Sequence, residues 1–554
     1  MQKIFANPAE LERRVKNEFL IPDFLMMENA ALSCADFILK EAEKRGIKNI
    51  RLLIVAGKGN NGGDGLAIAR LLKDKAEALV FCPVEPTALE AERQYKICKK
   101  LGICITADFS VFKKELFSSD DSTFILDCLY GTGFYGELGK IKENLEAKEL
   151  LDQMNLAKGI KIACDIPSAL YFNSDFTLTM GTQKLALYSD RAKSVSGKII
   201  VMNLGVPRSD FEDFLEPAAF LIENCDIRLP FRKDKAAHKG TYGHTVVIAG
   251  EKAGAAIIAA DSALHFGSGL TSILRTEKSN LEQFKVNPEL MICDSIPATT
   301  TAVLLGSGLG IPDEKTLDAV ADWFKCTTDA HSGRNTGKAA NSKAPAIVLD
   351  ADMMNYPKIK EYLQRLCNIN KKGLENNVGL AENKIQLPKI ILTPHPKELA
   401  NLYSALGFEK LNAAQATEKR LEIAEKILEK FPGLTLILKS ANTIIAQKNT
   451  ASKLTERAEL VQADDTPEHV YFYLEKNETD FFICADGTQA LAKGGSGDVL
   501  AGMAAALLAQ GYTTKDAAIT AVQSHAFASR YFCEGRGWDL SPSALYKSLE
   551  IKLP

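Results

Sequence analysis

Several features are scarce in this chain, and each scarcity narrows what it can be. No stretch reaches the ~18 consecutive apolar residues needed to span a bilayer, so no membrane partner is expected. The opening residues, Met1-Gln2-Lys3-Ile4-Phe5-Ala6-Asn7-Pro8, lack the apolar core of a signal peptide, and a soluble, cytoplasmic protein is expected. The 12 cysteines are scattered, without a Cys-x-x-Cys pair or nearby histidines, which argues against a zinc site and a disulfide framework and suits a reducing compartment. Charge of one sign is missing too: 67 Lys+Arg against 70 Asp+Glu leave a net charge of -3, with no basic excess to hold nucleic acid. What remains is ordinary globular composition, 46% hydrophobic and 25% charged, on 554 residues. At roughly 150 residues per domain that length suits about two to four domains.

The first half alternates strand and helix patterns. Residues 8–19 and 23–45 have helical periodicity, and Met26 and Met27 within them read as core packing. Residues 49–56 form a buried-strand pattern that runs into Gly57-Lys58-Gly59-Asn60-Asn61-Gly62-Gly63-Asp64-Gly65, with a helix expected from Leu66. A strand, glycine-rich loop and helix put the loop at the carboxyl end of a parallel strand, where ligands collect. Gly57, Gly59 and Gly62 satisfy G-x-G-x-x-G, so a dinucleotide-binding, hydride-transferring reading must be weighed; a Walker A loop is excluded because no Gly-Lys-Ser/Thr follows. Asn60, Asn61 and Asp64 add amides and a carboxylate, which suggest ligand and cation contacts beyond a bare turn. Strands are expected at 76–82, 122–127 and 159–164, with a helix at 88–101. Asp127 and Asp165 end two of those strands at the same edge, followed by the loop Cys128–Glu137 and by Pro167-Ser168. Asn, Asp and Ser oxygens without His or Cys are hard donors, which favours an alkali or alkaline-earth ion.

Strand-like segments at 198–202 and 205–207 close the first domain, and the polar passage 224–239 sets the expected domains at 1–222 and 223–554. In the second, strands lead into Gly306-Ser307-Gly308-Leu309-Gly310, Asp350-Ala351-Asp352, Thr393-Pro394-His395-Pro396-Lys397-Glu398 and Lys439. The last such turn, Gly494-Gly495-Ser496-Gly497-Asp498, opens a long helix of apolar and small residues. Glycines at a helix start let backbone N–H groups approach an anion, so phosphate is the natural ligand there. Asp498 beside phosphate is repelled unless it takes a proton from a hydroxyl that attacks phosphorus; the alternative is a first-turn acid favoured by the helix dipole. His395, bracketed by prolines at a strand end, is expected to touch ligand, and Lys439 either faces nucleotide phosphates or is a solvated strand end. The polar stretches 327–344 and 370–386 read as surface insertions.

Asn60-Asn61-Gly62-Gly63-Asp64-Gly65, Asp127 with Gly131-Thr132-Gly133, and Asp165-Ile166-Pro167-Ser168 resemble the NAD(P)H-hydrate epimerase family. The resemblance implies a Rossmann-like three-layer domain whose substrate is held by Asn60, Asn61, Gly62, Gly63 and Asp64, by Gly131, Thr132, Gly133, Phe134, Tyr135, Gly136 and Glu137, and by Asp165. It implies potassium among Asn61, Asp127 and Ser168, and Asp165 acting on the nicotinamide ring. Ala169 stands where that family usually has glycine, and Leu170–Gly181 is shorter than usual.

Lys239-Gly240 with Tyr242-Gly243, the 306–310 turn, Thr393-Pro394-His395-Pro396 with Glu398, and Gly494–Asp498 resemble ADP- or ATP-dependent NAD(P)H-hydrate dehydratases, which have a ribokinase-like fold. By that resemblance Ala255, Gly308, His395 and Asp498 contact the hydrate, while Lys439, Ser440, Ala441, Asn442, Thr443 and Gly497 contact ADP or ATP, with magnesium as the accompanying ion. Ser307 replaces a usual proline, Ser440 a glycine, and Thr488-Gln489 an Asn-Pro. Taken together, the expected class is α/β with two domains, a bifunctional repair enzyme acting on the hydrates NADHX and NADPHX and assembling as a homo-oligomer. The rival reading is a ribokinase-like small-molecule kinase carrying a non-catalytic N-terminal binding domain.

Overall fold

The computed structural model describes residues 1–131, 145–331, 343–375, 389–449, 478–536 and 540–547. The chain divides into two compact units, one over residues 2–219 and one from residue 220 onward.

In the first unit, strands β1 (Gln2–Phe5), β2 (Ile50–Ala56), β3 (Ala76–Phe81), β4 (Cys104–Thr106), β5 (Thr123–Cys128), β6 (Ile160–Cys164), β7 (Phe176–Met180), β8 (Gln183–Lys184) and β9 (Lys198–Met202) alternate with helices. Seven of them form a sheet in the order β4-β3-β2-β5-β6-β7-β9, parallel throughout, and β1 pairs with β8. Both faces are covered, which is why the strands read as continuous apolar runs. Leu52, Ile54, Phe124 and Leu126 pack into one core with helices Pro8–Glu18, Asp23–Lys44 and Asn60–Leu71. Their neighbours Leu53, Val55 and Ile125 face the other way, against helices Phe109–Phe117 and Leu145–Leu156.

Two expectations are corrected here. The helix after β2 begins at Asn60, not Leu66, so Asn60 to Gly65 are helical. Residues 205–207 form a bend instead of a strand, since Gly205 adopts φ 85°.

In the second unit, β10 (Ala219–Leu221), β11 (His244–Ala249), β12 (Leu270–Arg275), β13 (Met291–Cys293), β14 (Ala302–Leu305), β15 (Ala346–Leu349), β16 (Lys389–Leu392), β17 (Leu434–Leu438), β18 (Thr443–Lys448) and β19 (Thr479–Cys484) run in the order β13-β12-β11-β14-β15-β16-β17-β18-β19-β10. Pairing is parallel from β13 to β17, and β18 is antiparallel to both neighbours. The helix Ser496–Ala509 is buried along nearly its whole length. It lies so close to Ala253–His265 that a side chain at Gly502 would meet the Ala259 carbonyl oxygen at 2.2 Å. Small residues on both helices permit that approach, and Ser262 Oγ donates to the Val499 carbonyl at 2.8 Å.

The expected insertions begin inside helices: 327–331 continue Glu314–His331 and 370–375 continue Ile359–Glu375. Residues 332–342 and 376–386 lie outside the described residues. Among the described residues no helix is long and apolar enough to cross a membrane.

Candidate active sites

Among the parallel strands of each unit the order reverses between β2 and β5 in the first and between β11 and β14 in the second. Loops leaving the carboxyl ends of strands on either side of such a point diverge and open a crevice.

In the first unit the crevice is a cavity of about 1300 Å³ whose lining includes Met26, Met27, Asn60, Asn61, Asp64 and Asp165. Its floor is two backbones pressed together: the Gly57 N–H donates to the Cys128 carbonyl at 3.0 Å, and a side chain at Gly57 would strike the Leu129 oxygen at 2.0 Å. Met26 and Met27 are buried as expected for core residues, yet they also form a wall of this cavity.

Oxygens converge beside it. Asp127, fully buried, accepts from the Ser168 hydroxyl at 2.6 Å, the Ser168 amide at 2.7 Å and the Leu129 amide at 3.2 Å. Burial lifts its carboxyl to about 6, against the pull of those hydrogen bonds. Asn61 donates from Nδ2 to the Tyr130 carbonyl at 3.0 Å, which leaves its buried Oδ1 without a partner among the described residues. A buried amide oxygen left unpaired is costly. Beside a carboxylate, a hydroxyl and a carbonyl, it is also the chemistry of an alkali-cation cradle.

Asp165 and Ala169 adopt φ 71° and 56°, conformations a glycine meets without strain. Asp165 donates its N–H to the Leu178 carbonyl at 2.7 Å and forms a buried ion pair with Lys184, which the sequence reading missed. Burial pulls the Lys184 ammonium down to about 8, with Glu12 and Asp64 opposing. Asp64 is driven well above the usual carboxylate range, first by burial and then by Cys164 and Glu12. The site thus holds one carboxyl paired with a cation and one raised by burial. A side chain at Gly131 would come within 3.4 Å of Asn61 Cβ and of Asp165 Oδ2, so these three expected positions adjoin. Thr132, Gly133, Phe134, Tyr135, Gly136 and Glu137 lie outside the described residues.

In the second unit the turns after β11, β14 and β15 are stacked backbone on backbone. Side chains at Gly308 and Gly306 would strike the Lys252 and Asp350 carbonyl oxygens at 2.2 and 1.9 Å, and the former would lie 2.9 Å from Ala255 Cβ. Asp350, 1% exposed, accepts from Ser307 Oγ at 3.0 Å, from Thr393 Oγ1, and from Lys439 Nζ at 3.0 Å. Burial pulls the Lys439 ammonium down, but Asp350 and then Glu398 and Asp498 hold it above its usual range. Sequence reasoning saw Asp350 only as a strand end and missed that it anchors this lysine.

Asp498 stands in the first turn of Ser496–Ala509, after Gly495 at φ 91°. Burial and then repulsion by Asp350 push its carboxyl up to about 7, while the Ser307 hydroxyl and Lys439 oppose. A side chain on Gly497 would lie 3.3 Å from Lys439 Nζ, so the lysine reaches the glycine-rich turn. The turn is braced from below by His525, a residue with no sequence signal. Burial pulls its imidazole down to about 4, and Nε2 lies 2.9 Å from the Ser496 carbonyl, so the neutral ring donates there. His395 caps the helix Pro396–Ala405: Nδ1 accepts from the Glu398 amide at 3.3 Å, and Nε2 lies 3.1 Å from Glu398 Oε1. Ser440, Ala441 and Asn442 form the bend between β17 and β18, steadied by Arg420 donating to the Asn442 carbonyl at 2.7 Å, and Thr443 opens β18.

Fold and sites define a two-unit α/β protein with an oxygen-lined pocket at one switch point and an acid-bearing, glycine-rich helix start at the other. Residues 24–186 match the family described as YjeF-related protein N-terminus, and residues 245–463 and 473–550 match NAD(P)H-hydrate dehydratase. The bifunctional NAD(P)H-hydrate repair enzyme of Helicobacter pylori is 31% identical over 542 residues, 96% of either chain. That of Moorella thermoacetica is 27% identical over 96% of this chain and 92% of its own. A solved ADP/ATP-dependent NAD(P)H-hydrate dehydratase from Bacillus subtilis, co-crystallized with ATP/Mg2+, is 21% identical with a TM-score of 0.38, over 58% of this chain and 91% of its own. The chain belongs to the bifunctional NAD(P)H-hydrate repair enzyme family.

Proposed function

We propose that this chain restores hydrated NADH and NADPH in two steps, one in each unit. The first unit interconverts the R and S epimers of the hydrate. The second dehydrates the S epimer with consumption of ADP or ATP.

A hydrated nicotinamide carries a hydroxyl on C6 of a reduced ring, next to the ring nitrogen. Exchange of configuration there requires that a bond from C6 to a heteroatom break and re-form, with one proton delivered and one removed. Asp165 is assigned both transfers in turn. Asn60, Asn61, Gly62, Gly63, Asp64 and Gly131 surround the substrate, with Thr132–Glu137 assigned to it by resemblance alone. Potassium suits Asn61, Asp127 and Ser168, because the unpaired Asn61 Oδ1 is the donor such an ion would satisfy. When bound it supplies a fixed positive charge at the strand edge.

In the second unit hydroxide is a poor leaving group and must be activated. Asp498 takes the C6 hydroxyl proton, the oxygen attacks the terminal phosphoryl group of ADP or ATP and displaces AMP or ADP, and the 494–497 amides face the charge on that group. Phosphate leaves with the C6–O bond as the ring nitrogen donates its electrons, and loss of a proton from C5 returns the dihydronicotinamide. Ala255, Gly308 and His395 border the hydrate; Lys439, Ser440, Ala441, Asn442, Thr443 and Gly497 border the nucleotide. Magnesium is assigned to the nucleotide phosphates, since Asp350 and Glu398 already serve Lys439.

The observation that carries this reading is Asp498 in the first turn of a helix that opens on a glycine-rich turn, with an elevated carboxyl that suits a base near neutral pH. The test is recovery of dihydronicotinamide absorbance from mixed epimers, with and without ADP or ATP and magnesium. Full recovery only with nucleotide is expected, and Asp498→Asn should abolish it while epimerisation continues. Nucleotide turnover only with an added vitamin or sugar alcohol would hand the second unit to the kinase reading.

A further inference from the structure

The first unit contains a charged side chain that this chemistry does not yet use. Lys184 is 2% exposed, on the two-residue strand β8 where it stands opposite Phe5 of β1. A buried ammonium is costly unless it is paired. The chain turns back at Gly181, φ 75°, and Lys184 thereby reaches Asp165 from behind.

The two oxygens of Asp165 are treated differently. Oδ1 receives the Lys184 ammonium and, at 3.4 Å, the Met180 backbone N–H. Oδ2 is the oxygen near Gly131, on the side of the cavity that both residues line. A carboxylate pinned through one oxygen cannot rotate freely, so the other is presented to whatever fills the cavity.

We propose that Lys184 is the positioning residue of the epimerase acid/base, holding Asp165 Oδ1 so that Oδ2 is aimed at the substrate and the carboxylate stays charged when the pocket fills. This deepens the epimerase reading and rests on it. The surroundings explain why a cation is needed there. Glu12 and Asp23 face the cavity from the first two helices, Asp64 from Asn60–Leu71 and Glu146 and Glu149 from Leu145–Leu156, and Cys164 precedes Asp165, while Lys58 is the cation on the loop after β2. Burial and neighbouring carboxylates both disfavour the charged form of an acid, and a nearby cation favours it. Lys184 places its positive charge against Asp165 Oδ1 in a buried ion pair, while burial drives the Asp64 carboxyl well above its usual range.

The test uses the full chain and the separated R epimer, following conversion to S by chromatography without nucleotide. Lys184→Met should lower kcat on the order of 30-fold with KM nearly unchanged. It should also raise the acid limb of the pH profile by about one pH unit, because the carboxylate has lost its counter-charge. Lys184→Arg should keep the acid limb in place. Nucleotide-dependent dehydration of the S epimer by the same proteins reports that they are folded; if the Met variant is not, Lys184→Gln carries the same readouts. A normal kcat and pH profile in Lys184→Met would overturn the assignment, as would equal losses in both variants with no shift of the limb. Failure of the wild-type chain to interconvert the epimers would instead remove the epimerase reading itself.

Discussion

The chemistry proposed for the second unit rests on one carboxyl, Asp498, whose protonation is set by its neighbours. Burial and Asp350 raise it to about 7, against the Ser307 hydrogen bond and Lys439. A base acts only when ionised, so its contribution is complete above the elevated value and is lost as the pH falls through it. kcat/KM for the S hydrate should therefore climb with pH and reach half of its plateau close to the value for the free enzyme. The Ser307 hydroxyl favours the charged form, so Ser307→Ala should move that half-point upward. A pH-independent rate, or a half-point the variant leaves unmoved, would take Asp498 out of the role of base. Lys439 must stay charged for this arrangement to hold, and its salt bridge to the 1% exposed Asp350 secures that.

Elements carry the next level of constraint, and glycine shows where a sequence misleads. Gly62, Gly63 and Gly65 look like helix breakers, because glycine costs about 1 kcal/mol in a helix interior. All three nevertheless lie inside Asn60–Leu71. A side chain on Gly62 would meet the Gly57 carbonyl oxygen at 1.9 Å, one on Gly63 would meet Met27 and Ala91, and one on Gly65 would meet Cys128 Sγ at 2.8 Å. These residues are glycine so that the helix can seat against the loop after β2 at Gly62, against the helix residues Met27 and Ala91 at Gly63, and against β2 and β5 at Gly65, a tertiary demand that outweighs propensity and that periodicity does not reveal. Gly59, at φ -97° and with nothing within 4 Å of where an added methyl group would stand, is under no such demand. Gly59→Ala should thus leave the unfolding midpoint of the chain nearly unchanged, whereas Gly62→Ala should destabilise by on the order of 2–3 kcal/mol. Thermal or denaturant unfolding distinguishes them, and equal midpoints would refute the close-packing account. The strand-end acids were legible for the opposite reason: Asp127, Asp165 and Asp350 follow unmistakable apolar runs, and parallel topology collects strand ends at one edge. Lys184 was not, since β8 is two residues long and its role exists only through a turn. His525 lies deep in a helical pattern, where a histidine under a phosphate loop looks like any other.

At the scale of the whole molecule, each unit has its own switch point and its own buried core. Nothing in the assigned chemistry of one requires a residue of the other. In the proposed division of labour the S hydrate is the product of the first step and the substrate of the second. The two activities should therefore separate cleanly and recombine between chains. With an equal mixture of epimers, Asp165→Asn should restore dihydronicotinamide rapidly to about half of the total, limited thereafter by spontaneous exchange, while Asp498→Asn should restore none. Mixing the two variants should bring recovery to completion, with a rate that follows the concentration of free intermediate and a lag that shortens as the Asp498→Asn variant is increased. A mixture that stops at the half-way level would mean that the intermediate is used only by the chain that made it, and recovery by Asp498→Asn alone would contradict the division of labour between the units.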